Sequence, residues 1–589
     1  MDRVNAALPR LIERRVAKHE RPYPAALTLV PIRDVHLGGA REDSMKPGGD
    51  ALAISAFVAI ALLILLIACM NFANLVTAQS SLRAREVAMR KVVGASRGQV
   101  ATQFLGEAMA VTLTAMVVAL ALAELVAPAF GTFMQAPLRV EYLGKNGILL
   151  PALLLWVFVG LACGFYPAML LSRFHPSRIL RSGRPDSLGG TQLRNLLVIG
   201  QFAISIGLIV CTAIVFAQTN YARTVDPGFR QSGLLIVNNM PRLYSPELQQ
   251  SYREQLRRIE GSAAVGLSTV APGNDKQAAL PFTIPGRDEP PLLNLNFVDW
   301  GFQRALGVPL LAGRFFDESR PADDSTVNFD PTDEDGPALT ARGAHVVLSR
   351  SSLVRLGLQD PATAIGQRLF VPVRGIQAPV PATVIGVAGD AQLRSVRDRI
   401  RPAVYMINQD RYTHLLLRFE GADPRAVRAE AEKLWKRLLP TVPFEAEFAE
   451  DVIAQFYDAD RARGRVFAVF AVLAVVLSCL GLFSLAALAT ESRTKEIGIR
   501  KVFGARSGDI VRLFAWQFTR LVLVANLIAW PVAWWLMRDW LNNFAYRIPL
   551  HPGWFLGAGL AALAIAMATV AAQALKVARL NPIHALRYE

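Results

Sequence analysis

The sequence predicts an α-helical integral membrane protein, with about seven transmembrane helices in two pseudo-repeats and an α+β extracytoplasmic domain. Three observations predict this. Apolar runs occupy roughly 51–77, 104–127, 147–172, 193–217, 464–490, 512–537 and 553–576, and about 20 apolar residues suffice for a helix to cross a bilayer core. Between the fourth and fifth runs lies a long stretch, 218–463, of ordinary polar composition. Finally, the segment Arg83-Ala84-Arg85-Glu86-Val87-Ala88-Met89-Arg90-Lys91-Val92-Val93-Gly94-Ala95 returns as Arg493-Thr494-Lys495-Glu496-Ile497-Gly498-Ile499-Arg500-Lys501-Val502-Phe503-Gly504-Ala505, each copy between two apolar runs.

The runs show none of the polar–apolar alternation of barrel strands, so helices are the structure that satisfies the backbone within lipid. Basic residues orient them. Arg83, Arg85, Arg90, Lys91 and Arg97 fill the first connection, and Arg173, Arg178, Arg181, Arg184 and Arg194 the third. Arg493, Lys495, Arg500, Lys501, Arg506 and Arg512 fill the connection after the fifth run, whereas 128–146 and 538–552 are poor in Lys and Arg. Lys and Arg concentrate on the cytoplasmic side, so the repeated element and the C-terminal tail are expected there. The formal net charge of +16 follows from this arrangement, because 218–463 is nearly balanced. Nucleic-acid binding is not needed to explain the charge.

Seven spans with a cytoplasmic tail put residues 1–50 outside, yet no earlier span carries them there. Ala25–Val35 also echoes Phe444–Val452, which leads into the fifth run. The expectation is a truncated chain or a misplaced start, with a reduced first half as the alternative. The repeat is therefore read as two halves. The first is the end of a soluble domain, three spans and the tail His175-Pro176-Ser177-Arg178-Ile179-Leu180-Arg181. The second is one span, a soluble domain, three spans and Asn581-Pro582-Ile583-His584-Ala585-Leu586-Arg587.

Within the soluble stretch, Leu234–Val237, Val265–Val270, Ala344–Ser349, Thr383–Asp390 and Leu415–Phe419 read as strands, and 246–260, 350–357 and 423–439 as helices. The Asp/Pro-rich stretch 317–337 reads as a mobile loop.

Chemistry is sparse. No Gly-x-x-x-x-Gly-Lys-(Ser/Thr) phosphate loop is present. The seven histidines show no metal-ligand spacing, and Cys69, Cys163, Cys211 and Cys479 all sit in apolar runs as small hydrophobes. No catalytic, cofactor or metal site is expected. Asn71, Asn74, Gln201 and Ser205 lie inside spans, where interhelical hydrogen bonds are favoured over a substrate path, and Glu124 ends a span at interfacial water.

The repeated element has a definite local logic. Met89, Val92 and Val93, and likewise Ile499, Val502 and Phe503, have the i, i+3, i+4 spacing of one helical face. Glu86 precedes Arg90 by four, as Glu496 precedes Arg500, the favourable order for a helix ion pair. Gly94 and Gly504 stop the helix. Each copy is expected to be a short amphipathic helix at the cytoplasmic boundary. It either anchors to lipid headgroups or docks a partner, and recurrence of the pair, the Arg-Lys and the turn favours docking.

These residues carry a resemblance. The span, soluble domain and three spans, with Glu-(Ile/Val)-(Gly/Ala)-(Ile/Met)-Arg-Lys-Val-x-Gly-Ala after the second span, resemble the FtsX-like permease family in its MacB-type branch. Asp226-Pro227-Gly228-Phe229, Ala305–Arg314, Asp360–Gln367 and Asn581-Pro582…Leu586-Arg587 fit as well. The resemblance implies a remnant of a first MacB-like periplasmic core at 1–50, a first FtsX-like permease domain at 51–175 and a cytoplasmic linker at 176–192. It further implies a transmembrane helix at 193–217, a MacB-like periplasmic core at 218–463, a second permease domain at 464–582 and a cytoplasmic tail at 583–589. It implies a bacterial inner-membrane permease that couples ATP hydrolysis on a separate cytoplasmic ABC ATPase dimer to periplasmic movement. ATP and Mg would sit on that partner, and a periplasmic adaptor and membrane lipids are the other partners it allows. The coupling residues would be Glu86, Arg90, Lys91, Gly94, Ala95, Glu496, Arg500, Lys501, Gly504 and Ala505. Export or extraction of a hydrophobic or peptide-like substrate is the first reading, and regulation of a periplasmic cell-wall hydrolase or sensing system, without transport, the alternative. A secondary transporter fits less well, since no broken or charged midplane helix is evident.

Overall fold

The computed structural model describes residues 51–134, 140–144, 147–173, 188–243, 246–274, 279–285, 289–326, 335–373, 376, 379–492 and 494–578, with Val4, Asn5, Ala7, Leu8, Arg14 and Leu29. The soluble remnant expected at 1–50 (those six residues apart), most of the 176–192 linker with the tail His175–Arg181, the tail Asn581–Arg587 and residues 327–334 lie outside the described residues.

In chain order, the first helices are α1 (Ala51–Val92), α2 (Arg97–Met134), α3 (Leu149–Arg173) and α4 (Leu188–Thr224). A soluble segment follows: β1 (Leu234–Val237), α5 (Pro246–Leu256), β2 (Ser262–Ser268), β3 (Ala279–Pro281), β4 (Leu292–Val298), α6 (Phe302–Leu306), β5 (Leu310–Gly313), α7 (Asp335–Arg342), β6 (Ala344–Ser349), α8 (Arg350–Leu356), α9 (Pro361–Ala364), β7 (Arg368–Val371), β8 (Val380–Ala388), β9 (Ala403–Ile407), β10 (His414–Phe419), α10 (Pro424–Leu438) and β11 (Ala446–Phe448). The chain closes with α11 (Ala449–Ser492), α12 (Thr494–Val502), α13 (Ser507–Leu541) and α14 (Pro552–Ala578).

Each apolar run falls on a helix. Among the described residues, six carry stretches long and apolar enough to cross a membrane: Ile54–Val76, Arg97–Thr132, Arg194–Thr224, Asp460–Ala487, Gly508–Leu541 and Pro552–Lys576. In the seventh, α3, the apolar stretch is Leu149–Ala162, within a helix of 25 residues. The helices outrun the apolar runs at several ends because hydrogen bonding propagates a helix beyond its apolar part.

The chain forms two compact bodies. One contains α1–α3, α4 up to Ala213, α11 from Arg463, α12, α13 up to Trp534 and α14. Small residues let its helices approach closely: a Cβ on Gly160 of α3 would lie 2.3 Å from Met109 Sδ of α2, and one on Gly164 would lie 2.8 Å from Ala108 Cβ. The Trp156 indole N–H donates to the Met109 carbonyl at 3.0 Å.

The other body, Ile214–Ala462 with Trp535–Leu550, is built on an 11-stranded mixed sheet in the order β11-β1-β10-β2-β4-β9-β6-β8-β5, with β3 beside β4 and β7 beside β8. The β4–β9 and β6–β8 pairs are parallel and the rest antiparallel. Helix α10 shows why these segments fold as they do. Asp423 caps it by accepting the Arg425 and Ala426 amides, and Pro424 opens the first turn. Val427, Ala431 and Trp435 fall on its buried face. Trp435 meets Tyr252 of α5 edge-on with ring centroids 5.5 Å apart. Truncating such a side chain to alanine costs about 3–5 kcal/mol.

The stretch 317–337 differs from its expected mobile form. Asp323 is fully buried and accepts Arg314 Nη2 at 2.8 Å, His345 Nδ1 at 2.6 Å and the Asp317 amide at 3.0 Å. The described part up to Thr326 is therefore tied to the sheet.

Candidate functional site

The second copy of the repeated element is the simpler one. Helix α12 places Ile497 inward, where Ile497, Ile510 and Phe514 line a notch of about 60 Å³ with Glu496, Arg500, Ala505, Asp509 and Leu513. Glu496 and Arg500 pair at 2.7 Å, both about half-exposed. Gly504, at φ 90°, reverses the chain, and the Ala505 amide donates to the Arg500 carbonyl at 3.0 Å. The Arg506 amide then donates to Asp509 Oδ2 at 3.0 Å, fixing the start of α13.

The first copy repeats this at the same sequence offset. Val87, Val100 and Phe104 are the buried counterparts of Ile497, Ile510 and Phe514, with Ala95 packed against them. Glu86 and Arg90 pair at 2.6 Å, Gly94 has φ 106°, and the Ala95 amide donates to the Arg90 carbonyl at 3.0 Å. Here Ser96 and Gln99 form a reciprocal capping box at 3.2 and 2.9 Å. Burial, and then repulsion from Arg97, lower the pKa of Lys91. The side chain of Lys501 lies outside the described residues.

One expectation needs correction. The first copy is not a separate short helix, since α1 runs unbroken from Ala51 to Val92. Thr77-Ala78-Gln79-Ser80-Ser81-Leu82-Arg83-Ala84-Arg85 holds no Gly or Pro and is rich in helix formers. In the second half, α11 runs to Ser492 and α12 from Thr494, on either side of Arg493, which lies outside the described residues.

The face opposite the buried side is open in both copies. Met89 and Val92, with Ile499 and Val502, are exposed, and Val93 and Phe503 are each 86% exposed. All six lie between membrane stretches, after Val76 and before Arg97 or after Ala487 and before Gly508. Each copy thus presents an apolar ridge beside a half-exposed ion pair, framed by a glycine turn.

The polar residues inside the spans are packing groups. The Asn71 amide donates to the Leu477 carbonyl at 2.6 Å, as does Gln201 at 3.3 Å. The Ser205 hydroxyl meets Ser478 Oγ at 2.7 Å and the Ala474 carbonyl at 3.2 Å. Helices α1 and α4 are joined to α11 by these bonds. Asn74 is buried, and its amide atoms have no hydrogen-bond partner among the described residues. Glu124 accepts the Tyr142 hydroxyl, and it lies inside α2 rather than ending the span as expected, since the apolar stretch continues to Thr132. Sequence reasoning missed Ser478, which meets Ser205, and Gly481, which faces Asn71 and Gln201 across the interface.

The FtsX-like permease C-terminal family matches residues 58–176 and again 468–582, and the MacB-like periplasmic core domain matches 201–434. The chain belongs to the FtsX-like permeases. It is a multi-pass protein of the inner membrane, and its mixed-sheet body is a periplasmic domain. The chain is also similar to the macrolide export ATP-binding/permease protein MacB of Chromobacterium violaceum, at 26% identity over 262 residues, covering 41% of this chain and 38% of that protein's length. Among solved structures it is similar to the periplasmic region of MacB from Actinobacillus actinomycetemcomitans (13% identity, TM-score 0.26, covering 39% of this chain and 94% of that one). It is likewise similar to the extracellular domain of the noncanonic ABC-type transporter YknZ from Gram-positive bacteria (15% identity, TM-score 0.22, covering 34% and 88%).

In this permease the sequence signature Asp226-Pro227-Gly228-Phe229 is a folding device. Asp226 Oδ1 accepts the Gly228 amide at 2.8 Å, and Phe229 is buried in the core. Gly228 has φ 77°, and a Cβ there would lie 1.9 Å from the Asp390 carbonyl oxygen.

Proposed function

We propose that this FtsX-like permease is the membrane subunit of an ABC machine, moved by a separate cytoplasmic ATPase dimer that docks on the two copies of the repeated element. The observation that supports this most is the pair of open apolar ridges, Met89/Val92/Val93 and Ile499/Val502/Phe503. They sit outside the membrane stretches at matching positions of the two halves. An apolar side chain left 86% exposed gains by burial against another surface, about 25 cal/mol per Å² of apolar area covered. One chain with two such ridges can seat two ATPase subunits. In this proposal hydrolysis takes place on the partner.

In this reading, hydrolysis drives movement of the periplasmic domain for export or extraction of a hydrophobic or peptide-like substrate. The relative from Chromobacterium violaceum is by name a macrolide exporter, which favours export over hydrolase regulation. A photo-crosslinking residue at Val93 or at Phe503, in cells that co-express an ABC ATPase of the family's kind, tests the docking. Adducts to the ATPase from both positions are expected. Adducts to lipid alone would show that the ridges are headgroup anchors.

A further inference from the structure

We infer that the turn between α13 and α14, residues 542–550, is seated in the periplasmic domain as one rigid piece with it, with Gln218 and Arg397 as the positioning residues that hold it. The inference deepens the coupling function proposed above and rests on it for its mechanical meaning. A connecting turn ordinarily lies on the surface and satisfies its backbone locally or with water. In this one Asn542, Asn543 and Phe544 bond locally, but Ala545, Tyr546 and Ile548 are satisfied by residues far away in the sequence.

Gln218, near the end of α4, is fully buried. Its carboxamide donates to the Tyr546 carbonyl at 3.1 Å and accepts the Ile548 amide at 2.9 Å. Both ends of one side chain therefore grip the turn at residues two apart, as a neighbouring strand would. From the periplasmic domain, the Val396 carbonyl accepts the Tyr546 amide at 3.1 Å and the Arg397 carbonyl accepts the Ala545 amide at 3.3 Å. The Val396 amide in turn donates to the Tyr457 hydroxyl of α11 at 2.9 Å.

Side chains close the joint. The Arg397 guanidinium donates to Asp460 of α11 at 2.7 Å and lies 4.6 Å from the centre of the Phe544 ring, a cation–π geometry. Ala222, Val396, Tyr457 and Phe544 form one buried cluster, with Trp540 and Tyr546 packed on it. Four segments thus meet at this point: α4, α11, the 395–397 loop and the α13–α14 turn. Opening the buried Gln218 contacts is costly because it leaves unsatisfied amide groups behind. Displacing the 542–550 turn, with the end of α13 that belongs to the same body, must therefore carry the 395–397 loop with it.

The test uses the full chain in lipid nanodiscs, with the four native cysteines replaced and spin labels placed at Asn543 and Lys436, both exposed. Pulsed electron-spin distances are measured for the chain alone and with an ABC ATPase of the family's kind and a non-hydrolysable ATP analogue. In the parent, one narrow distance is expected, unchanged by nucleotide. Gln218→Ala is expected to broaden it at least twofold. Arg397→Lys, which keeps the charge facing Asp460 and loses the flat stack on Phe544, is expected to broaden it less. Both variants should bind the ATPase as the parent does. A broad or nucleotide-dependent distance in the parent, or variants that match the parent, would overturn the inference. If the ATPase fails to bind the parent, the coupling function falls, while the distances in the chain alone still decide whether the turn is held.

Discussion

The Glu496 carboxylate and the Arg500 guanidinium, one helical turn apart, pair at 2.7 Å, and Glu86 and Arg90 repeat the arrangement at 2.6 Å. Glu stands N-terminal to Arg in both, the order that also suits the helix dipole. Half-exposed pairs of this kind contribute only about 0.3–0.5 kcal/mol. Stability is therefore a poor reason for the pair to occur in both halves, and presentation of a defined charge pattern beside the apolar ridge is a better one. The copies are not identical in their surroundings. Arg90 also donates to Gln103 Oε1 at 2.6 Å, whereas Leu513 stands at the corresponding place in the second half and lines the notch.

The glycine turns give the first prediction. A Cβ at Gly94 or Gly504 meets nothing within 4 Å, yet their φ values of 106° and 90° are ones that side-chain-bearing residues rarely adopt. Gly504→Ala should cost about 1–2 kcal/mol through backbone strain alone. Hydrogen exchange should show faster exchange at Ala505, whose amide bonds to the Arg500 carbonyl. Unchanged protection would mean that the turn tolerates alanine.

Packing of α1, α4 and α11 gives the second. A Cβ on Gly481 would lie 2.0 Å from Asn71 Oδ1 and 3.1 Å from Gln201 Nε2. Gly481→Val should force these helices apart and lower the Tm of the purified protein by several degrees. Ser205→Ala removes only the hydroxyl bonds to Ser478 and Ala474 and should cost about 0.6 kcal/mol, the typical value inside membranes. Equal losses from the two variants would contradict this ranking.

The third concerns acid. Burial disfavours the Asp323 carboxylate, but hydrogen bonds from Arg314, His345 and the Asp317 amide outweigh it and hold the pKa below its ordinary value. A folded pKa below the unfolded one, about 3.9, gives stability that is complete above that pH and lost as pH falls through the folded value. Asp323→Asn should therefore be clearly less stable than the parent at pH 7, with the gap narrowing below pH about 4. Thermal unfolding at a series of pH values checks this, and a gap that widens in acid would contradict it.

The membrane architecture was legible because apolar length is a property of contiguous residues. The repeated element was legible because its spacing is local. Strand β4, Leu292-Leu293-Asn294-Leu295-Asn296-Phe297-Val298, was not. Asn294 and Asn296 are both buried and interrupt the apolar pattern by which a core strand is recognised. The continuity of α1 through the first repeat was also hidden, since the helix runs on to Val92, well past the end of its apolar stretch at Val76. Least legible of all was the grip of Gln218 on Tyr546 and Ile548, because nothing in a sequence marks which distant amide a buried glutamine will meet.

The most direct test of the account exchanges the charges of both pairs, as Glu86→Arg, Arg90→Glu, Glu496→Arg and Arg500→Glu in one chain. Net charge is kept, and the reversed order weakens each helix by a few tenths of a kcal/mol at most, so membrane insertion should be normal. Co-purification of the partner ABC ATPase, and its stimulation by the permease, should fall well below the parent, and below the variant reversed at Glu496 and Arg500 alone. A quadruple variant that inserts normally and still binds and stimulates the ATPase like the parent would contradict docking through these elements.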